Sequence, residues 1–415
     1  MGRTMTVQGG RSLYGTVEVP AAKNSVLPLL AASLLCGGPV RLEQVPRLSD
    51  VEDCLGILRA VGCGAAWEGE DVVVGGPPSC CRMPLAETAR MRASVLFAAP
   101  LLARLGRVET ALPGGCRIGA RPVDWHLAAL EQMGAQITQA GDRLVLTAPW
   151  GLRGTEICLP GPSVGATETV LLAGCTARGE TILHGAAREP EICDLAQFLN
   201  RCGGKVQGAG TDEIHIQGVG ALHGATYRPM PDRICASTLA CAVAAARGWI
   251  TIAGCSPSLY GPVLDVLEQA GCTVSRTAGS ATVGRMGSLQ GAGRLVTGGY
   301  PALATDAAPL VAAALLFGEG TTVLEDRVFE ARFGCAEGFA AMGAQVKVEG
   351  RTLRIRGGRP LRGAAVTACD LRGGAALVVA ALGAQGKTRI AGCEYIARGY
   401  ASLGEMLTGL GARIE

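Results

Sequence analysis

The sequence has few aromatic residues and no strong excess of charge of either sign. Phe, Trp and Tyr make up 4% of the 415 residues, and 38 Lys and Arg face 35 Asp and Glu, which leaves a net charge of +3. Proteins that bind nucleic acid usually present a basic surface or aromatic side chains on which bases stack. The composition therefore argues against a nucleic-acid partner, and none is expected.

The usual patterns of metal sites and membrane spans are also missing. The 17 cysteines include no Cys-x-x-Cys pair, and only four histidines are present, so neither a zinc or iron–sulfur motif nor a His-rich site is expected. The longest apolar runs, such as 307–318, are shorter than the roughly 18 residues that a membrane span needs. Unpaired thiols are typical of core residues in a reducing compartment. We predict a cytoplasmic protein without metal or membrane insertion.

Glycine, in contrast, is abundant, and it recurs in a pattern. An Ala/Leu-rich segment, a glycine and a short β-branched run occur six times at intervals of about 70 residues, and each copy is followed by a second helical segment that ends at its own glycine. The glycines of this second set are Gly62, Gly134, Gly203, Gly271, Gly343 and Gly411. A glycine at this position accepts the left-handed conformation that ends a helix. The pattern predicts six repeated units.

Six such units predict an α/β (α+β) fold of two pseudo-symmetric domains. Each domain would contain three β-α-β-α-β-type units, with helices inside and sheets outside, as in an inverse α/β barrel. A chain of 415 residues is also too long for one ordinary core. Pro229 and Pro231 lie near the midpoint, where they can continue neither a helix nor a central strand. We predict one domain at 22–228 and a second formed by 1–21 with 229–415.

Two short segments contain residues suited to chemistry. Cys116 follows Gly114 and Gly115 in a loop with nearby arginines, where its pKa could be lowered towards a reactive value; it could equally be another core cysteine. Lys23 and Asn24 begin the first helix of the repeat, where an ammonium group and free backbone amides can hold an anion. A solvated helix end is the alternative there.

Charged residues at the starts of other repeat helices suggest an anion site. Six arginines lie in such places or in loops: Arg92, Arg121, Arg233, Arg332, Arg372 and Arg398. Each alone could form a surface salt bridge, but together they suit a multiply charged anion. Asp306 precedes the fifth repeat's helix. It could be a general base or, with Thr305, only a helix N-cap.

Several motifs occur in order from about Val7 to the C-terminus. They are AAKNSVLPLLAASLL, MRAS, LPGGCRIGARPVDWH, PSVGATE, GAAREPEICDLAQFLN, TDAAP, FEARF, DLRGGAAL and ARGY. Together they resemble the enolpyruvyl transferase family of UDP-N-acetylglucosamine 1-carboxyvinyltransferases. A weaker resemblance, at the level of the six-fold repeat, extends to 3-phosphoshikimate 1-carboxyvinyltransferase.

The resemblance implies a function and two small-molecule substrates. The enolpyruvyl group of phosphoenolpyruvate would pass to the 3′-hydroxyl of UDP-N-acetylglucosamine, with release of phosphate, as the first committed step of peptidoglycan synthesis. The substrates would bind in a cleft between the two domains. Neither a metal nor an organic cofactor is implied. We further expect a monomer.

The resemblance also assigns roles to individual residues. Asp306 would accept the proton of the attacking hydroxyl, and Cys116 would deliver a proton to C3 of the enolpyruvyl group and could form a covalent phospholactoyl adduct. Lys23, Arg121 and Arg398 would hold the phosphate and carboxylate of phosphoenolpyruvate, and Arg92, Arg332 and Arg372 would add to that basic pocket. The implied substrate-binding residues are Asn24, Arg92, Arg121, Pro122, Val123, Asp124, Trp125, Ser163, Val164, Gly165, Val328, Arg332 and Arg372. Of these, 121–125 would hold uridine and 163–165 the diphosphate.

Some positions depart from the family pattern. Gly161 stands where the family often has Lys, Ala308 stands where Gln is usual, and Ala397 replaces an Asp. Smaller or less polar residues around a site can loosen the orientation of catalytic groups. A non-catalytic or weakly active UDP-sugar-binding paralogue is therefore the first alternative. The shikimate-pathway transferase is the second, and the Arg-Pro-Val-Asp-Trp segment argues against it.

Overall fold

A computed structural model of the protein describes residues 4–114 and 123–415. The described residues form two compact units, one of residues 21–114 and 123–230 and the other of residues 4–20 and 231–415. Each unit contains three separate β-sheets. The predicted mixed α/β class is confirmed, and in the described residues no sheet closes on itself.

The unit of residues 21–230 contains eleven of the described strands. In hydrogen-bonding order its sheets are Thr226–Tyr227, Val40–Leu42, Asp71–Gly75 and Gly64–Glu68; Arg107–Ala111, Arg143–Thr147 and Gln136–Ala140; and Lys205–Gln207, Glu213–Gln217, Glu180–His184 and Glu156–Cys158. Its α-helices are Lys23–Ala32, Ser49–Ala60, Leu85–Arg90, Ala98–Leu105, Asp124–Gln132, Val164–Gly174 and Pro190–Arg201. Ser33–Leu35 and Arg92–Phe97 are 3₁₀ helices.

The other unit combines the first two strands of the chain with its second half. Its sheets are Thr273–Arg276, Ser280–Arg285, Gly248–Ala253 and Leu13–Glu18; Leu289–Gln290, Gly318–Glu325, Thr352–Gly357 and Gln345–Glu349, with Gly293–Val296 also paired to Gly318–Glu325; and Ala365–Thr367, Lys387–Ala391, Thr4–Gln8 and Arg413–Ile414. Its α-helices are Arg233–Ala246, Gly261–Gln269, Ala308–Leu315, Ala336–Ala341, Leu371–Gly383, Cys393–Ala397 and Leu403–Gly409. Pro257–Leu259 and Thr305–Ala307 are 3₁₀ helices.

The first helix of several repeats is buried on all sides. Every residue of helix Arg233–Ala246 is buried, and so is every residue of Ala308–Leu315. Strands such as Arg143–Thr147 alternate between buried and more exposed positions, as expected where one face of a sheet meets water. The helices therefore form the inside of each unit and the sheets cover it. Among the described residues, no helix combines the length and the hydrophobicity that a membrane span requires.

The six glycines predicted to end the second helices share one conformation. Their φ angles are positive and lie between 92° and 106°. In each copy the glycine N–H donates to the carbonyl oxygen three residues earlier, as Gly62 does to Arg59. The next N–H donates to the carbonyl oxygen five residues earlier, as Cys63 does to Leu58. This is the Schellman arrangement, which satisfies the last carbonyls of a helix. The prediction for these glycines is confirmed.

Candidate active site

The carboxylate of Asp306 lies between two arginines from distant parts of one unit. Arg332 donates through Nη2 to Asp306 Oδ1 at 2.7 Å, and Arg372 donates through Nε to Asp306 Oδ2 at 3.1 Å. The side chains of Arg332 and Arg372 are 2% and 5% exposed, whereas that of Asp306 is 28% exposed. The two guanidinium groups thus form a buried cationic layer, and the carboxylate is the accessible member of the cluster.

This arrangement controls the charge of Asp306. Burial alone would raise the pKa of the carboxyl group, but the charges of Arg372 and Arg332 outweigh it and hold the pKa of Asp306 well below its ordinary value. Arg233 acts in the same direction. Asp306 is therefore ionised at neutral pH, as a group that accepts a proton must be.

A second carboxylate organises the loop that carries Arg332. Asp326 Oδ1 accepts the backbone N–H groups of Val328 and Phe329 at 2.9 and 2.7 Å, and Asp326 Oδ2 accepts the Thr305 hydroxyl at 2.6 Å. Thr305 Oγ1 in turn accepts the Nε–H of Arg332 at 2.9 Å. Neither Thr305 nor Asp306 caps a helix here, so the N-cap alternative is wrong. Both side chains instead position the arginine.

Arg372 is fixed by its own helix and keeps one donor unused. Asp370 caps helix Leu371–Gly383 by accepting the N–H groups of Arg372 and Gly373 at 3.0 and 2.9 Å. The guanidinium carbon of Arg372 lies 5.4 Å from the centre of the Tyr400 ring. Its Nη1 is buried and finds no hydrogen-bond partner among the described residues. A buried unpaired donor costs free energy.

Lys23 is paired rather than solvated. It is the first residue of helix Lys23–Ala32, and its Nζ lies 2.6 Å from Asp50 Oδ2 in a pair whose side chains are 12% and 4% exposed. Asn24 is exposed, and Arg92 begins its 3₁₀ helix in a half-buried position. The solvated-terminus alternative for Lys23 is therefore wrong, and no signal in the sequence pointed to Asp50 as its partner.

The described part of the predicted uridine segment, 123–125, lies next to the predicted diphosphate segment, 163–165. His126, which follows Trp125 in helix Asp124–Gln132, has its Nδ1 2.8 Å from Thr169 Oγ1 in helix Val164–Gly174. A Cβ added at Gly165 would approach His126 Cε1 to 2.8 Å, so only glycine fits there without a shift of the imidazole. A Cβ at Gly161 would contact the ring of Trp125 at 3.8 Å.

The start of helix Val164–Gly174 is suited to an anion. Ser163 is its N-cap and accepts the Ala166 N–H at 3.3 Å. The remaining N–H groups of the first turn and the helix dipole favour negative charge at this end. The diphosphate contact at 163–165 stays a prediction. Val123 lies just before helix Asp124–Gln132 and is half-buried. Within that helix Asp124 is exposed and Trp125 is half-buried.

The remaining site residues have separate locations. Arg398 is half-buried directly after helix Cys393–Ala397, and Val328 is 41% exposed. Cys116, Arg121 and Pro122 lie outside the described residues, so their predicted roles stay predictions.

Sequence reasoning missed His126, which directly follows the uridine segment, and Asp326. An Asp that directly follows a strand often accepts the backbone N–H groups two and three residues later and so forms a turn. That signal could have indicated Asp326.

The fold and a family model show that the protein belongs to the class of enolpyruvyl transferases. The family model for 3-phosphoshikimate 1-carboxyvinyltransferase (EPSP synthase) matches residues 7–407. The crystal structure of the enolpyruvyl transferase NikO from Streptomyces tendae is similar to this chain with a TM-score of 0.88 at 27% identity, and the alignment covers 100% of this chain and 99% of that one. EPSP synthase from Acinetobacter baumannii shares the fold at a TM-score of 0.76 and 21% identity, over 100% and 99% of the two chains.

Closer relatives define the family more narrowly. UDP-N-acetylglucosamine 1-carboxyvinyltransferase of Oleidesulfovibrio alaskensis is 43% identical over 99% of this chain and 98% of that protein. The enzyme called UDP-N-acetylglucosamine 1-carboxyvinyltransferase 2 in Caldanaerobacter subterraneus is 40% identical over 98% of both chains. The chain belongs to the family of UDP-N-acetylglucosamine 1-carboxyvinyltransferases, and the resemblance predicted from the motifs is confirmed.

Proposed function

We propose that the protein transfers the enolpyruvyl group of phosphoenolpyruvate to the 3′-hydroxyl of UDP-N-acetylglucosamine and releases phosphate, in peptidoglycan synthesis. The observation that carries the proposal is the ionised Asp306 above the buried guanidinium groups of Arg332 and Arg372. That cluster offers one acceptor for a proton beside fixed positive charge for an anion. A reaction between an alcohol and phosphoenolpyruvate requires both.

The chemistry proceeds by addition and elimination. The 3′-oxygen bonds to C2 of phosphoenolpyruvate while its proton passes to Asp306, and C3 gains a proton for which Cys116 is the proposed donor. The tetrahedral intermediate then loses a proton from C3 and expels phosphate, which restores the double bond. Positive charge that develops at C2 and the charge on phosphate are stabilised best by fixed charges in a site without water.

Binding of phosphoenolpyruvate would itself activate Asp306. The guanidinium charge of Arg372 would attract the carboxylate or phosphate of the substrate. An anion there would offset part of the charge that now lowers the pKa of Asp306, so the carboxylate would become a stronger base only when the substrate is present. Lys23 and Arg398 would bind the same anionic groups, with Arg121 and Arg92. Asn24 and Val328 would contact the sugar nucleotide.

UDP would bind at the N-terminal ends of helices Asp124–Gln132 and Val164–Gly174, which are in contact through His126 and Thr169. The first-turn amides after Ser163 would hold the diphosphate, with Val164 and Gly165, and residues 121–125 would hold the uridine. The tight fit of Gly165 against His126 keeps the two segments in a fixed relation. This supports a binding site for one extended ligand that contacts both.

The test is phosphate release from phosphoenolpyruvate by the purified protein, with and without UDP-N-acetylglucosamine. We expect release only with the sugar nucleotide and loss of release in Asp306→Ala. Asp265→Ala is the matched control, because Asp265 is 60% exposed and pairs with Arg276 on the surface. Release with shikimate 3-phosphate in place of the sugar nucleotide would instead identify the shikimate-pathway activity.

The same experiment separates an enzyme from a binding paralogue. Calorimetric binding of UDP-N-acetylglucosamine without phosphate release would support the non-catalytic alternative and overturn the proposed activity. A monomeric cytoplasmic enzyme remains our prediction. Light scattering after size-exclusion chromatography tests the monomer.

A further inference from the structure

The outer face of one sheet gathers three different metal-ligating side chains. Glu156, Cys158 and His184 each offer one ligand atom, and these atoms lie within 4.8 Å of one another. Glu156 Oε1 is 2.9 Å from His184 Nε2. Cys158 and Glu156 are exposed and His184 is half-buried. None of the three belongs to the site described above.

The strand register explains how they meet. His184 pairs with Cys158 across the parallel strands Glu180–His184 and Glu156–Cys158, and Ile182 pairs with Glu156. Side chains two apart on a strand point to the same face, so Glu156 and Cys158 flank His184 on one side of the sheet. In sequence, His184 follows Cys158 by 26 positions and Glu156 by 28. No local spacing motif could reveal them.

A second group of residues orients the histidine. The other ring nitrogen of His184, Nδ1, lies 3.1 Å from Glu213 Oε2 on the neighbouring antiparallel strand. Glu213 Oε1 lies 3.0 Å from His215 Nε2, and His215 Nδ1 lies 3.2 Å from Glu180 Oε1. Metal-binding histidines commonly donate their second ring N–H to a carboxylate, which fixes the tautomer and ring orientation. In this cluster Glu213 is that carboxylate for Nδ1, and Nε2 faces Glu156.

We propose that Glu156, Cys158 and His184 bind a divalent transition-metal ion of the zinc class, with Glu213 as the carboxylate that orients His184. A set of one thiolate, one imidazole and one carboxylate suits Zn²⁺ rather than Mg²⁺ or Ca²⁺, which prefer oxygen ligands alone. Three protein ligands leave the fourth tetrahedral position to water. The site is separate from the proposed active site and carries no step of the proposed reaction.

The geometry needs only a small adjustment to close on a metal. Zn–N and Zn–S distances of about 2.1 and 2.3 Å place ligand atoms roughly 3.6 Å apart around a tetrahedral ion. Glu156 and Cys158 are exposed, so their side chains can rotate without disturbing the core.

Cobalt provides the test, because Co²⁺ bound to a thiolate has a charge-transfer absorption that oxygen and nitrogen ligands alone do not give. The reduced, full-length protein is titrated with Co²⁺ and then with Zn²⁺. We expect the band to saturate at one equivalent and Zn²⁺ to displace it. Cys158→Ser should abolish the band, and His184→Gln should abolish or strongly weaken it. Glu213→Gln should weaken Co²⁺ binding about 10- to 100-fold.

Cys369→Ser is the matched control, because Cys369 is also exposed but lies in the other unit. It should leave the titration unchanged. A band that persists in Cys158→Ser, or a wild-type protein without any band, would overturn the proposal. Thermal unfolding with and without Zn²⁺ gives a second measure: the metal should raise the unfolding temperature of the wild type but not that of Cys158→Ser. Neither readout depends on transferase activity.

Discussion

Arg372 and Asp306 stand 66 positions apart in sequence, yet the Nε–H of Arg372 donates to Asp306 Oδ2 at 3.1 Å. Helix Leu371–Gly383, capped by Asp370, sets the position of the arginine. The contact joins the fifth and sixth repeats of the chain. It also means that the residue proposed as a base and a residue proposed to bind substrate form one electrostatic unit, so that a change in either affects both.

Loss of the Asp306 charge should destabilise the protein at neutral pH. Asp306→Asn leaves the guanidinium groups of Arg332 and Arg372 buried without a counter-charge, and a hydrogen bond to a charged group contributes about 1.5–3 kcal/mol. We expect the free energy of unfolding at pH 7 to fall by about 2 kcal/mol in urea denaturation. Asp265→Asn, on the surface, should change it little.

The pH dependence of that difference has a definite sign. The pKa of Asp306 is lowered in the folded protein, so its contribution is complete above the ordinary aspartate pKa of about 3.9. It is lost as the pH falls from there towards the folded-state pKa. The difference between wild type and Asp306→Asn should therefore be constant from about pH 7 to pH 5 and shrink below about pH 4. A difference that grows in acid would contradict the ion-pair interpretation.

Asp50 should act as a positioning residue for Lys23. Asp50→Asn removes the negative partner 2.6 Å from Lys23 Nζ, and a misplaced binding group can lower activity by up to about 10²-fold. If Lys23 binds phosphoenolpyruvate, KM for phosphoenolpyruvate should rise by roughly 10-fold or more, with a smaller change in KM for the sugar nucleotide. Steady-state kinetics with each substrate varied in turn measures this.

Asp53→Asn is the control for Asp50, because Asp53 lies on the same helix and pairs with Arg90, whose side chain is 62% exposed. Asp50→Glu, which keeps the charge, should restore part of the activity. Equal losses in Asp50→Asn and Asp53→Asn would show a general effect on helix Ser49–Ala60 and would remove the positioning role.

The repeat and the class of fold could be predicted from the sequence because they rest on local signals. Each Schellman glycine, such as Gly343, marks the end of a helix within a few residues of chain. The family could likewise be identified from short motifs in the sequence. Asp50 and the cluster of Glu156 and Cys158 with His184 could not be predicted, because each depends on a contact between residues far apart in sequence. The sequence singled out Asp306 as a general base or a helix N-cap. Only its contacts with Arg332 and Arg372, which the sequence could not show, speak against the cap, and its role as a base stays a prediction.

Cys116 should be the thiol that the epoxide phosphonate fosfomycin alkylates. This rests on the resemblance of its loop to the family, since Cys116 lies outside the described residues. Of the described cysteines, Cys158 and Cys369 are exposed. Burial, as the largest cause, raises the pKa of Cys175 and Cys255 to about 12, so such core thiols should react slowly.

Peptide mapping by mass spectrometry after incubation with fosfomycin measures the modification. We expect one adduct, on the peptide that contains Cys116, and no adduct at that position in Cys116→Ala. The double variant Cys158→Ser/Cys369→Ser should be labelled as fully as the wild type. A Cys116→Ala protein that still gains one adduct would show that another thiol is the reactive one.

Gly165 should be required for sugar-nucleotide binding because of His126. A Cβ at position 165 would lie 2.8 Å from His126 Cε1 and 3.0 Å from Nε2, and such overpacking typically costs about 1–3 kcal/mol. Gly165→Ala must therefore move helix Val164–Gly174 or the imidazole, which is held by Thr169. We expect calorimetry to show binding of UDP-N-acetylglucosamine weakened by about 10-fold, equivalent to roughly 1.4 kcal/mol.

Two further variants separate this contact from a general effect of alanine near a helix start. Gly261 begins helix Gly261–Gln269 and has no heavy atom within 4 Å of an added Cβ, so Gly261→Ala should leave the affinity unchanged. In a double-mutant cycle, His126→Ala should remove most of the effect of Gly165→Ala, because residues in contact are not additive. Additive losses would show that position 165 acts on the nucleotide directly and that the fixed distance between the two helices is not what the ligand requires.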